Sequence, residues 1–188
     1  MFIGLYSLVA VATFVALVTV YLNNSHAGAR VWNLVAVPRI RPLAMLLAVV
    51  GIAVILPAVI HPSPALVGIQ KAWASRGRTR ITRHPLFMGI ALWAFAHLLL
   101  NGFVTDLLFF GGLLAFSLIG AAQQDKRKRL TDWPRLGPFF GETSFWPFGA
   151  ILDRRNHMAW GELPWLELVI GAAFALIVYA LHPWMFFQ

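Results

Sequence analysis

The chain has 188 residues, of which 60% are hydrophobic and only 12% are charged. Soluble domains carry about 25% charged residues, so this composition indicates an integral membrane protein. The net charge of +8 does not indicate nucleic-acid binding, because the basic residues lie between long apolar runs, where they favour lipid head groups. The absence of cysteine excludes disulfides, thiolate-ligated haem and Cys-type zinc or iron–sulfur sites.

Five apolar runs are long enough, or nearly so, to cross ~30 Å of hydrocarbon as helices. The boundaries of the third run are marked by His84-Pro85 and Asn101-Gly102, because proline suits a first helical turn and Asn-Gly suits a tight reversal. The third and fourth runs are therefore predicted to form a helical hairpin. The sequence predicts an all-α, polytopic transmembrane bundle of about five spans, forming one domain over residues 1–188. The runs are Phe2–Leu22, Leu43–Ile60, Leu86–Leu100, Phe103–Ala122 and Leu163–Phe187.

The distribution of basic residues predicts the orientation of this bundle. Twelve of the fifteen Lys and Arg residues lie in two loops, His61–Pro85 and Gln123–Glu162, which share a side with the N-terminus. By the positive-inside rule that side is cytoplasmic, and we expect a bacterial inner (cytoplasmic) membrane. The second loop combines the sequence DKRKR with Trp, Phe and Pro, which is typical of an aromatic and basic segment at the membrane interface.

Few polar residues interrupt the spans, and some of the glycines are candidates for helix contacts. Asp106 follows the hairpin turn and can cap the fourth helix, whereas Glu167 lies near the interface and is expected to be hydrated. Gly89 and the Gly111–Gly112 pair are predicted to lie at helix contacts, where small residues let backbones approach.

The histidines divide by depth. His97 lies thirteen residues beyond His84, about 20 Å along a helix, and His182 lies nineteen residues, about 28 Å, beyond Leu163. His97 and His182 are thus predicted at similar depth on different helices, on the side that also holds His26. Two imidazoles from facing helices commonly hold a b-type haem, although a single histidine in a membrane helix is often a hydrogen-bonded packing residue.

Helical spacing adds a predicted pocket beside these histidines. Trp93 and His97 share a face of the third span with Gly89, and His182 shares a face of the fifth span with residues 171, 175 and 179. We expect Asn101, one turn beyond His97, to accept a hydrogen bond from the imidazole. Arg83, at the cytoplasmic mouth, is suited to grip a carboxylate or a phosphate.

Three stretches resemble the NnrU family of membrane proteins and the related 15-cis-zeta-carotene isomerases. They are RHPLFMGIALWAFAHLLLNG, TSFWPFGAILDRRN and YALHPWMFF. The resemblance implies a membrane helical bundle and, in the isomerase branch, haem b held by histidines and a redox-gated cis/trans isomerisation of a polyene. It also implies a link to denitrification, the lipid bilayer as environment and a hydrophobic small molecule as partner.

The resemblance assigns the cofactor site to three histidines, and the helical spacing adds Trp93. His97 matches the hairpin histidine expected to ligate haem iron, and His182 and His84 match motif histidines, with Trp93 beside them. Family members usually begin with one more helix that carries a histidine-serine motif, and we expect this chain to start after that helix. Phe116 stands where the isomerases carry a histidine. The second axial ligand is therefore expected to be absent or replaced by His182 or His26.

Two other functions remain open from the sequence. The RHPxxxG pattern before a basic, aromatic segment also resembles isoprenylcysteine-type methyltransferases, which bind S-adenosylmethionine, although the region from Asp125 to Phe140 matches them poorly. A non-catalytic membrane scaffold or assembly factor fits the same composition.

Overall fold

A computed structural model describes residues 2–66, 68–69 and 74–186, and within these ranges the secondary structure is helical apart from one isolated antiparallel bridge, Arg30 with Phe103. Two 3-10 turns, Leu34–Ala36 and Trp160–Glu162, accompany the α-helices. The helices are α1 Phe2–Asn23, α2 Ile40–Ile60, α3 Arg78–Ile81, α4 Pro85–Leu100, α5 Val104–Asp106, α6 Gly112–Thr131, α7 Trp133–Glu142, α8 Gly149–Leu152 and α9 Trp165–Phe186.

Three helices of the described chain are long and apolar enough to cross a membrane, namely Ile40–Ile60, Val104–Thr131 and Trp165–Trp184. The segments Ser7–Asn23 and Pro85–Leu100 are apolar but shorter. The predicted all-α class is therefore confirmed for the described residues, with three helices as candidate membrane spans. The count of about five spans stays a prediction.

Helix α2 lies at the centre of the bundle and packs against both α4 and α9. The crossing with α4 is tight, because a Cβ added to Gly51 would lie 2.8 Å from the Gly89 carbonyl oxygen, and one added to Gly89 would lie 2.8 Å from that of Gly51. Gly171 of α9 similarly approaches Ala53 of α2. The prediction that Gly89 lies at a helix contact is confirmed.

The corresponding prediction for the Gly111–Gly112 pair is wrong. A Cβ at Gly112 would meet nothing within 4 Å, and one at Gly111 would meet only Leu107, which belongs to the same continuous helix. The reason is the direction of this face, which points away from the other helices of the bundle.

A π-helical turn at Leu107–Gly111 joins α5 to α6, so that Val104–Thr131 is one continuous helix. This helix extends past the predicted end of the fourth span and includes the DKRKR sequence. The predicted interfacial loop is largely helical too, since α7 and α8 lie within it. The buried face of α7, formed by Leu136, Phe139 and Phe140, packs against Ala65.

Helix α1 contacts the rest of the bundle through its C-terminal part. Val18 and Tyr21 pack on a cluster formed by α4 and the π turn, whereas apolar side chains from Leu5 to Leu17 are exposed. The C-terminal ends of α1, α4 and α9 and the start of α5 define one end of the bundle, which we call the His97 end. The basic segments 76–83 and 126–155 lie at the other, which we call the basic end.

Candidate functional site

A buried carboxylate organises the His97 end. Asp106 is fully buried and accepts hydrogen bonds from the Tyr21 hydroxyl (2.9 Å), from His26 Nδ1 (3.0 Å) and from the backbone N–H of Phe103 (3.2 Å). The bond from Phe103 is the helix cap that the sequence predicts. The other two fasten the end of α1, and His26 three residues beyond it, to the hairpin turn, so that Asp106 links these segments of the chain.

His97 lies beside this carboxylate, in an aromatic environment. Its Nδ1 is 2.9 Å from the backbone carbonyl oxygen of Trp93, and because a carbonyl only accepts, Nδ1 carries the proton and the lone pair is on Nε2. The imidazole stacks on Phe110, with centroids 4.6 Å apart, and contacts the Trp93 ring at a tilt of 49°, with centroids 4.4 Å apart. The prediction that Asn101 holds the ring is wrong, since the Trp93 carbonyl one turn earlier on the same helix takes the proton.

The Phe110 ring connects His97 to α1. Tyr21 stacks on Phe109 at 4.2 Å and meets Phe110 edge-on at 5.3 Å, so that the aromatic cluster continues from the imidazole to the Asp106 hydrogen bonds. Such flat, apolar walls suit a planar apolar ligand better than a charged one.

His182 belongs to this same end. It lies in the last turns of α9, as His97 lies in the last turn of α4. However, α2 packs between α4 and α9, and the Tyr179 side chain is exposed. Tyr179 therefore does not line a pocket shared with His97, as the helical spacing had predicted. No group of three His, Asp or Glu side chains among the described residues is arranged to hold a bare metal ion.

His84 lies at the basic end, one helix length from His97. It is 2% exposed, and its Nε2 is 2.6 Å from Oδ1 of Asp125, whose other oxygen accepts from Arg83 Nη1 at 3.2 Å. Arg83 also donates to the Thr143 carbonyl oxygen and lies over the Phe140 ring. Burial lowers the pKa of the Arg83 guanidinium, and the carboxylate beside it opposes that shift. The structure thus separates His84 from the other three predicted cofactor residues.

A second polar network covers the basic end. The Arg80 guanidinium donates two hydrogen bonds to Glu162, at 2.8 and 2.9 Å, and a third to Asn156 at 2.6 Å. The Arg80 side chain, together with the Gly77 N–H, lowers the pKa of Glu162 to about 2. An open polar cavity lies next to this network, lined by Ala74, Ser75, Arg80, Glu142, Arg155, Asn156 and His157.

Sequence reasoning missed two residues of these sites. Asp125 was part of the DKRKR sequence, where the neighbouring basic residues indicated an anchor. Tyr21 lies 85 positions before its partner Asp106, and no local pattern indicates a contact over that separation. A polar residue within an otherwise apolar run was the available signal for both Tyr21 and Asp106.

The long apolar helices, with buried polar groups at each end, are typical of a helical membrane protein. The chain belongs to the NnrU family, since the family model described as NnrU protein matches residues 1–188. This confirms the resemblance found in the three sequence stretches.

Two curated relatives carry the name 15-cis-zeta-carotene isomerase, chloroplastic. The protein from Zea mays is 28% identical over 197 residues, covering 98% of this chain and 51% of the relative. The protein from Arabidopsis thaliana is 29% identical over 177 residues, covering 88% of this chain and 46% of the relative. The chain therefore spans about half the length of the curated relatives it matches. No solved structure matches it significantly.

Proposed function

We propose that this protein binds haem b at the His97 end and acts there on a hydrophobic small molecule, as a redox or isomerase-type membrane protein. The observation that carries the proposal is the orientation of His97, whose Nδ1 is tied to the Trp93 carbonyl while Nε2 keeps a lone pair. A histidine that ligates iron usually has its other nitrogen held in this way, because the hydrogen bond fixes the tautomer and the ring. The relatives named as isomerases support the class of reaction.

The residues present fit the donor set of haem b. His97 and His182 are imidazoles on separate helices, α4 and α9, at the same end of the bundle, and an iron held by such neutral nitrogen donors in an apolar site would supply a redox centre. The Trp93 ring beside His97 is partly exposed and offers flat apolar surface to a macrocycle or a polyene. In this proposal His84, which is engaged with Asp125 at the other end, is not a ligand.

An absorption spectrum tests the proposal. Wild-type protein expressed with ample haem is expected to purify with a Soret band, and His97→Ala is expected to lose it. His182→Ala should shift the band if that residue is the second axial ligand. His157→Ala, at an exposed histidine of the basic end, is the matched control and should keep the wild-type spectrum. A colourless wild-type protein would contradict haem binding and would favour the scaffold function.

We further propose that five helices cross the bilayer, with the N-terminus and the basic end on the cytoplasmic side. This adds the apolar segments Ser7–Asn23 and Pro85–Leu100 to the three longer spans. Support comes from the positive-inside rule, because twelve of the fifteen basic residues lie in the two loops on that side.

A further inference from the structure

The segment around α8 presents an apolar surface outside the long helices. Trp146, Phe148 and Leu152 are 61%, 49% and 78% exposed, and the exposed side chain of Arg154 follows them. We call these four residues the α8 surface. They lie between α7 and α9, so their exposure is not explained by membership of a spanning helix.

The backbone of this segment is strained in a way that exposes the surface. Phe148 has φ +64° and Arg154 has φ +57°, both in the left-handed region that bulky residues rarely adopt. These two residues bracket α8. A strained conformation of this kind persists where the surrounding structure enforces it, and it is a reason to look for a role of the exposed side chain.

Hydrogen bonds to the start of the hairpin hold the segment in place. The Phe148 N–H donates to the Ile81 carbonyl at 2.7 Å, and the Arg83 N–H donates to the Ser144 carbonyl at 2.9 Å. On the other side of α8, the carbonyl of Ala150 accepts from the N–H groups of residues 155 and 156. The outward direction of the α8 surface is therefore fixed by the fold.

The surroundings of the α8 surface match those of a membrane–water interface. Helix α4 begins at the same end, and Trp160 and Trp165 at the start of α9 are 63% and 51% exposed with stacked rings. Exposed tryptophans beside basic residues are typical of the head-group level of a bilayer. The excess of arginine at this end is complementary to anionic phospholipid.

We propose that the α8 surface is a membrane anchor that inserts into an anionic lipid leaflet. Trp146, Phe148 and Leu152 lie at the boundary between head groups and acyl chains, and Arg154 pairs with a lipid phosphate. The anchor is separate from the His97 end, so it does not depend on the proposed function. It attaches the start of α4 to the membrane surface, because its backbone is bonded to residues 81–83.

Site-specific fluorescence tests the anchor, and the absence of native cysteine makes single labels straightforward. Leu152→Cys and the control His157→Cys, which lies on the polar cavity, are each labelled with the environment-sensitive dye NBD. The full chain is reconstituted into nanodiscs of phosphatidylcholine mixed with phosphatidylglycerol, after gel filtration and thermal unfolding have shown it to be folded. We expect NBD at position 152 to be blue-shifted and quenched by doxyl-labelled lipids, and NBD at position 157 to be neither.

The charge component is tested in the Leu152→Cys background. Quenching by doxyl-labelled phosphatidylglycerol relative to doxyl-labelled phosphatidylcholine measures the enrichment of anionic lipid near the label. One basic residue at a membrane surface contributes ~1 kcal/mol, so Arg154→Gln should reduce the enrichment about fivefold at low salt. Arg41→Gln, an exposed arginine of the His97 end, should leave it unchanged.

Three results would overturn the anchor. NBD at position 152 with the same emission and quenching as at position 157 would mean that the surface faces water. A blue-shifted label that doxyl lipids do not quench would mean that protein covers it. Equal enrichment in Arg154→Gln and the parent would mean that Arg154 does not recognise anionic lipid.

Discussion

Asp106 is the single residue with the largest expected effect on stability at the His97 end. Asp106→Ala leaves the Tyr21 hydroxyl and the Phe103 N–H without their acceptor, and each buried unsatisfied donor costs about 1–3 kcal/mol. We expect the free energy of unfolding to fall by at least that amount, measured by equilibrium unfolding in mixed micelles.

Tyr21→Phe is the matched control, because it removes one hydrogen bond and keeps the stacked ring. It should cost about 1 kcal/mol. Equal stabilities for Asp106→Ala, Tyr21→Phe and the wild type would show that the carboxylate does not fasten α1 to the hairpin.

The Glu162 carboxylate makes stability depend on pH at the basic end. Its pKa in the folded protein is about 2 and its ordinary value is 4.5, so its stabilising contribution is complete above pH 4.5 and is lost as the pH falls through 2. The midpoint of thermal unfolding in detergent should therefore decline between these two pH values. Glu162→Gln should show a shallower decline over the same window, and parallel curves for the two proteins would contradict the pairing with Arg80.

Single residues differ in how far the sequence predicts their surroundings. The depth of His97 followed from its position along a helix. The partner of its Nδ1 did not, because Asn101 and the Trp93 carbonyl are both one turn away and only the ring orientation decides between them. The contacts of Tyr21 and Asp125 depend on segments brought together by folding, which local patterns do not encode.

The crossing of α2 and α4 is the helix contact most sensitive to side-chain size. In Gly89→Ala the new Cβ would lie 2.8 Å from the Gly51 carbonyl oxygen, a backbone atom that moves only if the helices separate. We expect a loss of about 1–3 kcal/mol in the free energy of unfolding. Gly112→Ala is the control, since its Cβ would meet open space and alanine favours the helix by about 1 kcal/mol. A larger loss in Gly112→Ala than in Gly89→Ala would contradict this packing.

Apolar run length and turn residues predicted the helices well, and helix ends less well. The third span was predicted to begin one residue late, at Leu86 instead of Pro85. The fourth helix continues to Thr131, because lysine and arginine favour a helix even where they end an apolar run. Gly89 and Gly112 are equivalent in sequence, and only the position of the neighbouring helix distinguishes them.

The orientation of the whole molecule is predicted from charge and is testable by labelling. Asn24 is exposed at the His97 end and Arg76 is exposed at the basic end, so each is a suitable position for a single introduced cysteine. A membrane-impermeant maleimide should label Asn24→Cys in intact cells and Arg76→Cys only after lysis, because the basic end is expected inside. The reverse pattern would show that the topology is opposite to the predicted one. Labelling of both cysteines in intact cells would show that the membrane does not separate the two ends.

The molecule as a whole keeps its polar chemistry at two separate ends. The histidine pattern along α4 predicted this separation, since His97 lies thirteen positions beyond His84 along the helix. The sequence did not predict which helix packs against α9, because several apolar helices carry similar small residues. The central position of α2 is a property of the assembled bundle.

The π-helical turn at Leu107–Gly111 sets the angular register between the two parts of one helix. It lets the consecutive residues Phe109 and Phe110 both face the bundle, and it fixes the direction of Asp106 relative to α6. Deleting the exposed Leu108 would turn this segment into a regular α-helix and rotate everything before it by about 100°. A shorter, more regular helix would thus carry the Asp106 carboxylate away from Tyr21 and His26, so the insertion of one residue is part of what assembles the His97 end.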